Sequence, residues 1–228
     1  MRTITPSQIS AFLLLLSLVF LLALPVAWFG VLALNLGEFR AVVTVFACVV
    51  AVYVVAIGVY RIFLALVPLE EGVLQPHSWP EFSAQINILF YLVIFNSLIR
   101  THFLPVPLLR LVYLALGAKL GNNTYSAGVL LDPPLTYIGA NCIIGHDAVI
   151  FAHAIEGSHM ALAAVHIGDN VTIGATAVVM SGVTIGDRSI ISAGAVVLKD
   201  THIGNDEVWG GVPARRLKPK ALRTERDD

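Results

Sequence analysis

Residues 167–191 read IGDNVTIGATAVVMSGVTIGDRSII, with an aliphatic side chain returning at every sixth position: Ile167, Ile173, Val179, Ile185 and Ile191. From Leu120-Gly121 the same beat runs through Ile138-Gly139, Ile144-Gly145 and Ile150, and after Ile191 it continues through Val197 and Ile203-Gly204. Four positions beyond such residues stand Cys142, Ala148, Ala154, Val171, Ala177, Val183, Ser189, Ala195 and Thr201, all small or β-branched. An α-helix turns through about 600° in six residues, so it would scatter these positions around its surface. Strands of period two would align them, but would not ask for glycine or a small residue at fixed offsets. A triangular solenoid explains all of it: each hexad is one flat side and a corner, the aliphatic residue points inward, and three hexads close a coil. The small residue is expected where the chain turns, with the glycine relaxing the backbone beside it. Successive coils then bury their faces against one another.

These residues resemble the hexapeptide-repeat acyltransferases, whose signature is an aliphatic residue, glycine, two free positions, a small residue and a free position. The resemblance covers Leu120 to about Leu217 and reaches weakly upstream through LVYLALGAKLG (111–121), similar to the lead-in of membrane-associated members. It implies a left-handed parallel β-helix, a hand that spacing alone does not supply and that runs against the usual chirality of parallel crossovers. It also implies a homotrimer with active sites between neighbouring solenoids and acetyl-CoA as the donor. Zinc-dependent carbonic anhydrases and structural proteins share the family, so function has to be read from the site.

The beat fails between Ile150 and Ile167, where the chain reads FAHAIEGSHMALAAVH (151–166). A regular scaffold that ejects a loop tends to place function there, and histidines concentrate in this one. In acetyltransferases of the family, a histidine at or just before such a loop takes the proton from the acceptor hydroxyl or amine. Imidazole suits the task because its ordinary pKa lies near neutrality. The resemblance makes His153 the leading candidate for this base and His159 the second, with Glu156 or Asp147 placed to orient the ring. Phe151-Ala152-His153 followed by Glu156 is similar to the tail of polylysine-type synthetases, which are also membrane-bound hexapeptide solenoids. His146, His153, His159 and His166 leave open a zinc site shared across a trimer, as in γ-type carbonic anhydrases. No metal is expected on the acyltransferase reading.

SAGAVVLKD (192–200) followed by WGGVPAR (209–215) looks like the closing pattern of the sugar, serine and antibiotic acetyltransferases. That resemblance implies a pantetheine arm lying along an intersubunit groove, where glycine and alanine leave the backbone open to approach. The cofactor-binding positions it implies are Ala175, Ala193, Gly194, Gly211, Pro213 and Ala214, with Lys199 and Arg215 meeting the nucleotide phosphates. Trp209 would pack on the adenine.

The first half of the chain has another character. Hydrophobic residues make up 57% of the 228 and charged residues 13%, against about a quarter charged in an ordinary soluble domain. The apolar excess lies before residue 117. Ile9 to Leu36 carries no charge, Gly37-Glu38-Phe39-Arg40 is a short polar break, and Ala41 to Tyr60 is apolar again and closes with Arg61. Each run is long enough to span a bilayer, so together they predict a transmembrane hairpin with both ends on one side. Pro25 is expected to kink the first helix. A cleaved signal peptide is the alternative for the first run, but the apolar stretch continues past any cleavage point. Arg2 and Arg61 against Arg40 favour cytoplasmic ends, and a cytoplasmic donor favours them more. Ile88 to Ile99 is too short to span. With Leu108 to Leu116, beyond Pro105 and Pro107, it reads either as an interfacial or re-entrant piece, with Arg100 and Arg110 in reach of lipid headgroups, or as a buried helix packed inside an oligomer.

A net charge of −1 with no basic stripe excludes a nucleic-acid partner. The basic cluster Arg215, Arg216, Lys218, Lys220, Arg223 and Arg226 is a solvated tail or a contact for phosphate or anionic lipid. Cys48 and Cys142 lack partners at disulfide or metal spacing. The expected organisation is mainly β: a left-handed parallel β-helix (120–217) preceded by a transmembrane helical hairpin (1–68) and interfacial helices (69–119), then a charged tail (218–228). The expected activity is acetyl-CoA-dependent O-acetylation of a sugar, polysaccharide or other hydroxyl or amine acceptor at the cytoplasmic face of the inner membrane. A zinc hydro-lyase and a non-catalytic trimeric scaffold are the rivals.

Overall fold

The computed structural model describes residues 4–101, 103–157 and 159–217. The expected charged tail, Arg2 and His102 lie outside them. The chain divides into two compact units: Met1–Gly117 with Asp132–Pro134 and His153–Leu162, and Ala118–Leu131 with Leu135–Ala152 and Ala163–Asp228.

In the first unit, α1 (Pro6–Leu32) starts at Thr5, whose hydroxyl accepts the Gln8 amide while the Gln8 side chain returns to the Thr5 amide. This reciprocal pair satisfies donors that a helix start leaves open. The helix runs on through Pro25. A tight turn at Gly37–Phe39 leads into α2 (Arg40–Leu66), packed on α1. Both helices are long and apolar enough to cross a membrane, and much of their apolar surface is open: Leu14 is 72% exposed and Leu21 71%. Next come α3 (Trp79–Phe90), a π-turn (Tyr91–Phe95) and α4 (Asn96–Arg100) as one continuous run. Here the structure departs from the expected short interfacial helix, because the 22-residue run is itself long enough to span. The sequence hides its first turns, since Glu81, Ser83, Gln85 and Asn87 interrupt the apolar pattern yet are all buried. The unit's last helix, α5 (Val106–Leu116), ends at Gly117 in the left-handed region.

The second unit is a three-sided parallel coil. Its first face stacks Lys119–Leu120, Thr136–Ile138, Val165–Ile167, Thr184–Ile185 and His202–Ile203. The second stacks Tyr125–Ser126, Ile143–Ile144, Thr172–Ile173, Ile190–Ile191 and Val208–Gly210. The third stacks Val129–Leu130, Val149–Ile150, Val178–Val179 and Val196–Val197. Every aliphatic residue of the beat from Ile138 to Ile203 is buried, as are Cys142, Ala148, Val171, Ala177, Val183, Ser189 and Ala195. Burying one such aliphatic side chain is worth about 1.5–3 kcal/mol. Arg215–Leu217 runs antiparallel along Val208–Gly210 and covers the last edge of the second face.

Two expectations change. Ala154 is not a corner residue: it lies on a hairpin outside the coil. The glycines that follow the aliphatic residues do not relax the turn either. The positive-φ position falls two residues later and is held by Asn123, Asn141, Asp147, Asn170, Thr176, Arg188 and Asp206; in the hexads begun by Val179, Ile191 and Val197, which lack that glycine, the same position is held by Gly182, Gly194 and Asp200. Asparagine and aspartate tolerate that conformation because their short side chains bond locally. The glycines serve stacking, since a Cβ on Gly174 would run into the backbone nitrogen of Ala193 in the next coil.

Candidate active site

At the corner after the third face the chain leaves the coil beyond Ala152 and rejoins it at Ala163, whose amide donates to the Ala152 carbonyl at 2.8 Å. The coil with this departure spends 29 residues between equivalent positions instead of 18. The ejected segment forms two antiparallel strands, His153–Glu156 and His159–Leu162, that turn at Gly157. His153 stands opposite Leu162 and Glu156 opposite His159. Gly72–Val73 adds a third strand beside Ala161 and Leu162.

His153 is not left to solvent. Asp132 sits in Leu131-Asp132-Pro133-Pro134, where the following proline restricts it to extended backbone and a short 3-10 turn begins. Its carboxylate is 1% exposed and lies 2.6 Å from His153 Nδ1, whose side chain is 22% exposed. The same Oδ2 accepts the His153 backbone N–H at 3.2 Å. Asn87 Nδ2 donates to the other oxygen at 3.1 Å, and Asn87 Oδ1 accepts the Tyr60 hydroxyl at 2.6 Å. The Tyr60 ring packs against Phe90 and Phe95, 5.4 Å from each centroid. A buried carboxylate is tolerable only when donors surround it, and Asn87 Nδ2, His153 Nδ1 and the His153 backbone N–H are among the donors to this one.

Burial pulls the His153 imidazole toward its neutral form, but the hydrogen bond and charge of Asp132 outweigh it and hold its pKa above the ordinary histidine value. With Nδ1–H donating to the carboxylate, Nε2 keeps its lone pair. That tautomer is the one a general base needs.

The other histidines and acids fall elsewhere. His159 and Glu156 are exposed on the hairpin. Strand alternation sends Glu156 to the face opposite His153, so the orienting carboxylate comes from Asp132. Asp147 lies 3.3 Å from the ring of His146. His166 stacks on Tyr137 at 4.7 Å, and Lys119 sits over that tyrosine ring. Among the described residues, no three histidine, cysteine or acidic side chains come together in a way that would hold a metal ion.

The positions implied for the donor divide between two corners. Ala175, Ala193 and Gly194 are exposed at the corner after the second face, with the Gly194 amide on the Ala175 carbonyl at 2.9 Å. The closing segment folds over the same corner: the Val196 amide donates to Gly211, the Ala214 amide to Val196, and Arg215 lies opposite Gly210. Pro213 and Arg215 are exposed there, and Ala214 is buried. Trp209 is fixed by its indole N–H on Glu207 at 2.8 Å, a bond that lowers the Glu207 pKa. Lys199 stands at the next corner, six residues beyond Ala193, exposed beside Asp200.

Comparison with known proteins bears on the coil. Residues 164–199 match the family model described as bacterial transferase hexapeptide, six repeats. The solenoid carries the bacterial transferase hexapeptide repeat. No curated protein matches the chain. Among solved structures, a hexapeptide-repeat-containing acetyltransferase from Vibrio cholerae is 28% identical over 46% of this chain and 63% of its own, with a TM-score of 0.42. Its complex with acetyl coenzyme A, from Vibrio cholerae O1 biovar eltor, gives 29%, 45%, 60% and 0.42. A galactoside acetyltransferase in complex with coenzyme A is 22% identical over 65% of this chain and 86% of its own, at 0.48. The chain thus spans about three-fifths of the Vibrio proteins' length.

Three residues of the site stand outside the hexapeptide solenoid and escape its repeat. Asp132 is 21 residues from His153, and its one visible sign is an acid followed by two prolines where the beat is interrupted. Asn87 and Tyr60 belong to apolar helices and look like incidental polar residues until the fold brings them together.

Proposed function

We propose that the protein is a membrane-anchored acyltransferase that moves an acetyl group from acetyl-CoA to a hydroxyl of a sugar or polysaccharide, with His153 as general base. The observation that carries this reading is the buried Asp132 carboxylate 2.6 Å from His153 Nδ1, set where a transferase-type repeat is broken. The coil is left-handed and the working form is a homotrimer.

The corner formed by Ala175, Ala193 and Gly194 fits a thin donor arm, since small side chains leave the backbone approachable. Arg215 offers a forked cation and Lys199 a compact one for phosphates, and Trp209 a flat ring for a base. When bound, acetyl-CoA supplies a thioester carbonyl open to attack and a thiol leaving group. Nε2 of His153 takes the proton of the acceptor hydroxyl as its oxygen bonds to the acyl carbon, and returns it to the departing sulfur as the C–S bond breaks. The Asp132 carboxylate beside Nδ1 stabilises the imidazolium in between.

The apolar surface of α1 and α2 supports the anchor, because soluble proteins rarely leave such contiguous patches open. A helix of 27 residues is about 40 Å long, more than the roughly 30 Å of a bilayer core. Tyr60, which ends the chain of bonds to His153, is six residues before the end of α2, about 9 Å along its axis. That placement suits an acceptor presented at the cytoplasmic surface of the inner membrane.

His153→Ala should lower acetyl transfer by about 10²–10⁴-fold, the usual worth of a general base, while coenzyme A binding persists. The assay is thiol release from acetyl-CoA by detergent-solubilised protein across an acceptor panel, with coenzyme A binding measured by calorimetry. Undiminished turnover in the variant would remove His153 from the chemistry.

A further inference from the structure

Asn87 is 2% exposed and Tyr60 2% exposed, yet both carry polar groups, and these bond to each other. A phenylalanine at 60 would pack there without a hydroxyl to satisfy, whereas a leucine at 87 would take a donor from the buried Asp132 carboxylate. What the polar pair adds is direction. Tyr60 donates to the Asn87 oxygen, Asn87 donates to one Asp132 oxygen, and His153 donates to the other. Reversing the Asn87 amide would set its oxygen against the Asp132 carboxylate, so one ordering satisfies every group.

We infer that Tyr60 and Asn87 are positioning residues: through them α2 and α3 hold the Asp132 carboxylate, and Asp132 in turn holds the His153 ring with Nε2 free. The helical unit is then part of the catalytic apparatus and not merely a tether. The inference rests on His153 as the base. Besides Asp132, the titratable and charged groups on elements of this unit include Arg61 on α2, Glu81 on α3, Tyr91 on the π-turn, Arg100 on α4, Arg110 and Tyr113 on α5, Glu70 and Glu71 before the Gly72–Val73 strand, His77 after it, and Glu156 and His159 on the hairpin itself. Asn87 and His153 are among the residues that hydrogen-bond Asp132 directly.

Removing a donor from Asp132 concentrates its negative charge on the imidazole and loosens the ring. Asn87→Leu should therefore move the His153 titration to higher pH and lower kcat about tenfold, with KM for acetyl-CoA unchanged. Tyr60→Phe should do the same to a smaller degree. Asp132→Asn shifts the titration the other way, and a residue that merely fills space would move it in neither direction.

The test is an NMR titration of ¹⁵N-histidine-labelled full-length protein in detergent, with the His153 signals assigned by their loss in His153→Ala, and turnover measured in parallel. Upward displacement in both variants supports the role. A His153 titration identical to wild type in Tyr60→Phe, or a downward one, overturns it. Should Asn87→Leu fail to fold, Tyr60→Phe decides alone. Turnover surviving in His153→Ala would instead refute the assignment of the base, whatever the titrations show of the chain of bonds.

Discussion

Replacing Asp132 by asparagine keeps the shape of the side chain and reverses one of its faces. Asn87 Nδ2 lies 3.1 Å from Oδ1 of Asp132 and needs an acceptor there, so the new amide must keep its oxygen on that side. Its NH₂ then points at His153 Nδ1, 2.6 Å away in the wild type. Two donors cannot face each other, so Nδ1 becomes the acceptor and the proton moves to Nε2, where it blocks base catalysis. A wrong-tautomer orienting amide lowers kcat by up to about 10⁴-fold, or roughly 5.5 kcal/mol, in the serine-protease triad; about 10²–10⁴-fold is expected here. The backbone N–H of His153, which uses the same oxygen at 3.2 Å, also loses its acceptor, costing about 1–3 kcal/mol of stability. With the carboxylate charge gone, burial dominates and the acid limb of residual activity should fall below about pH 6.5. The assay is kcat/KM against pH by thiol release, with KM for acetyl-CoA as a control on donor binding. A kcat within threefold of wild type and an unmoved limb would refute this geometry.

Because Asp132 holds the His153 pKa above its ordinary value, the pair should stabilise the fold fully below about pH 6.5 and progressively less as pH rises through the raised value. Thermal midpoints from pH 5.5 to 9 should decline accordingly in wild type and stay flatter in His153→Gln; identical profiles would remove the coupling. Gly174→Ala, whose Cβ meets the backbone of Ala193, should destabilise the coil at least as much as Ile173→Ala, for which about 2–5 kcal/mol is expected; an unchanged melting temperature would contradict the stacking. Ala193→Trp should raise KM for acetyl-CoA tenfold or more without lowering the melting temperature, and normal kinetics would move the donor away from that corner.

The coil was legible because each side contributes one inward aliphatic residue, so a one-dimensional rhythm reports a three-dimensional face. The place of the excursion was legible for the same reason, as a missed beat between Ile150 and Ile167. What rhythm cannot report is contact between segments that do not share it. Asp132, Asn87 and Tyr60 come from a proline-bounded turn and two helices, and nothing local marks them as partners of His153. The expected choice of Glu156 or Asp147 followed nearness along the chain, whereas strand alternation turns Glu156 away and Asp147 stands beside His146. Lys199 carries a smaller lesson. It is one hexad beyond Ala193, and counting by six already puts it on a different corner.

Stacking at intervals of 18 residues, as in the Asp169, Asp187 and Asn205 ladder, gives the gene for this solenoid a grammar. Adding or deleting one full coil keeps every inward residue inward, whereas an insertion of any other length has to be set aside from the prism as a separate clause. The segment His153–Leu162 is such a clause, and its residues are released from the rule that every sixth side chain must face inward.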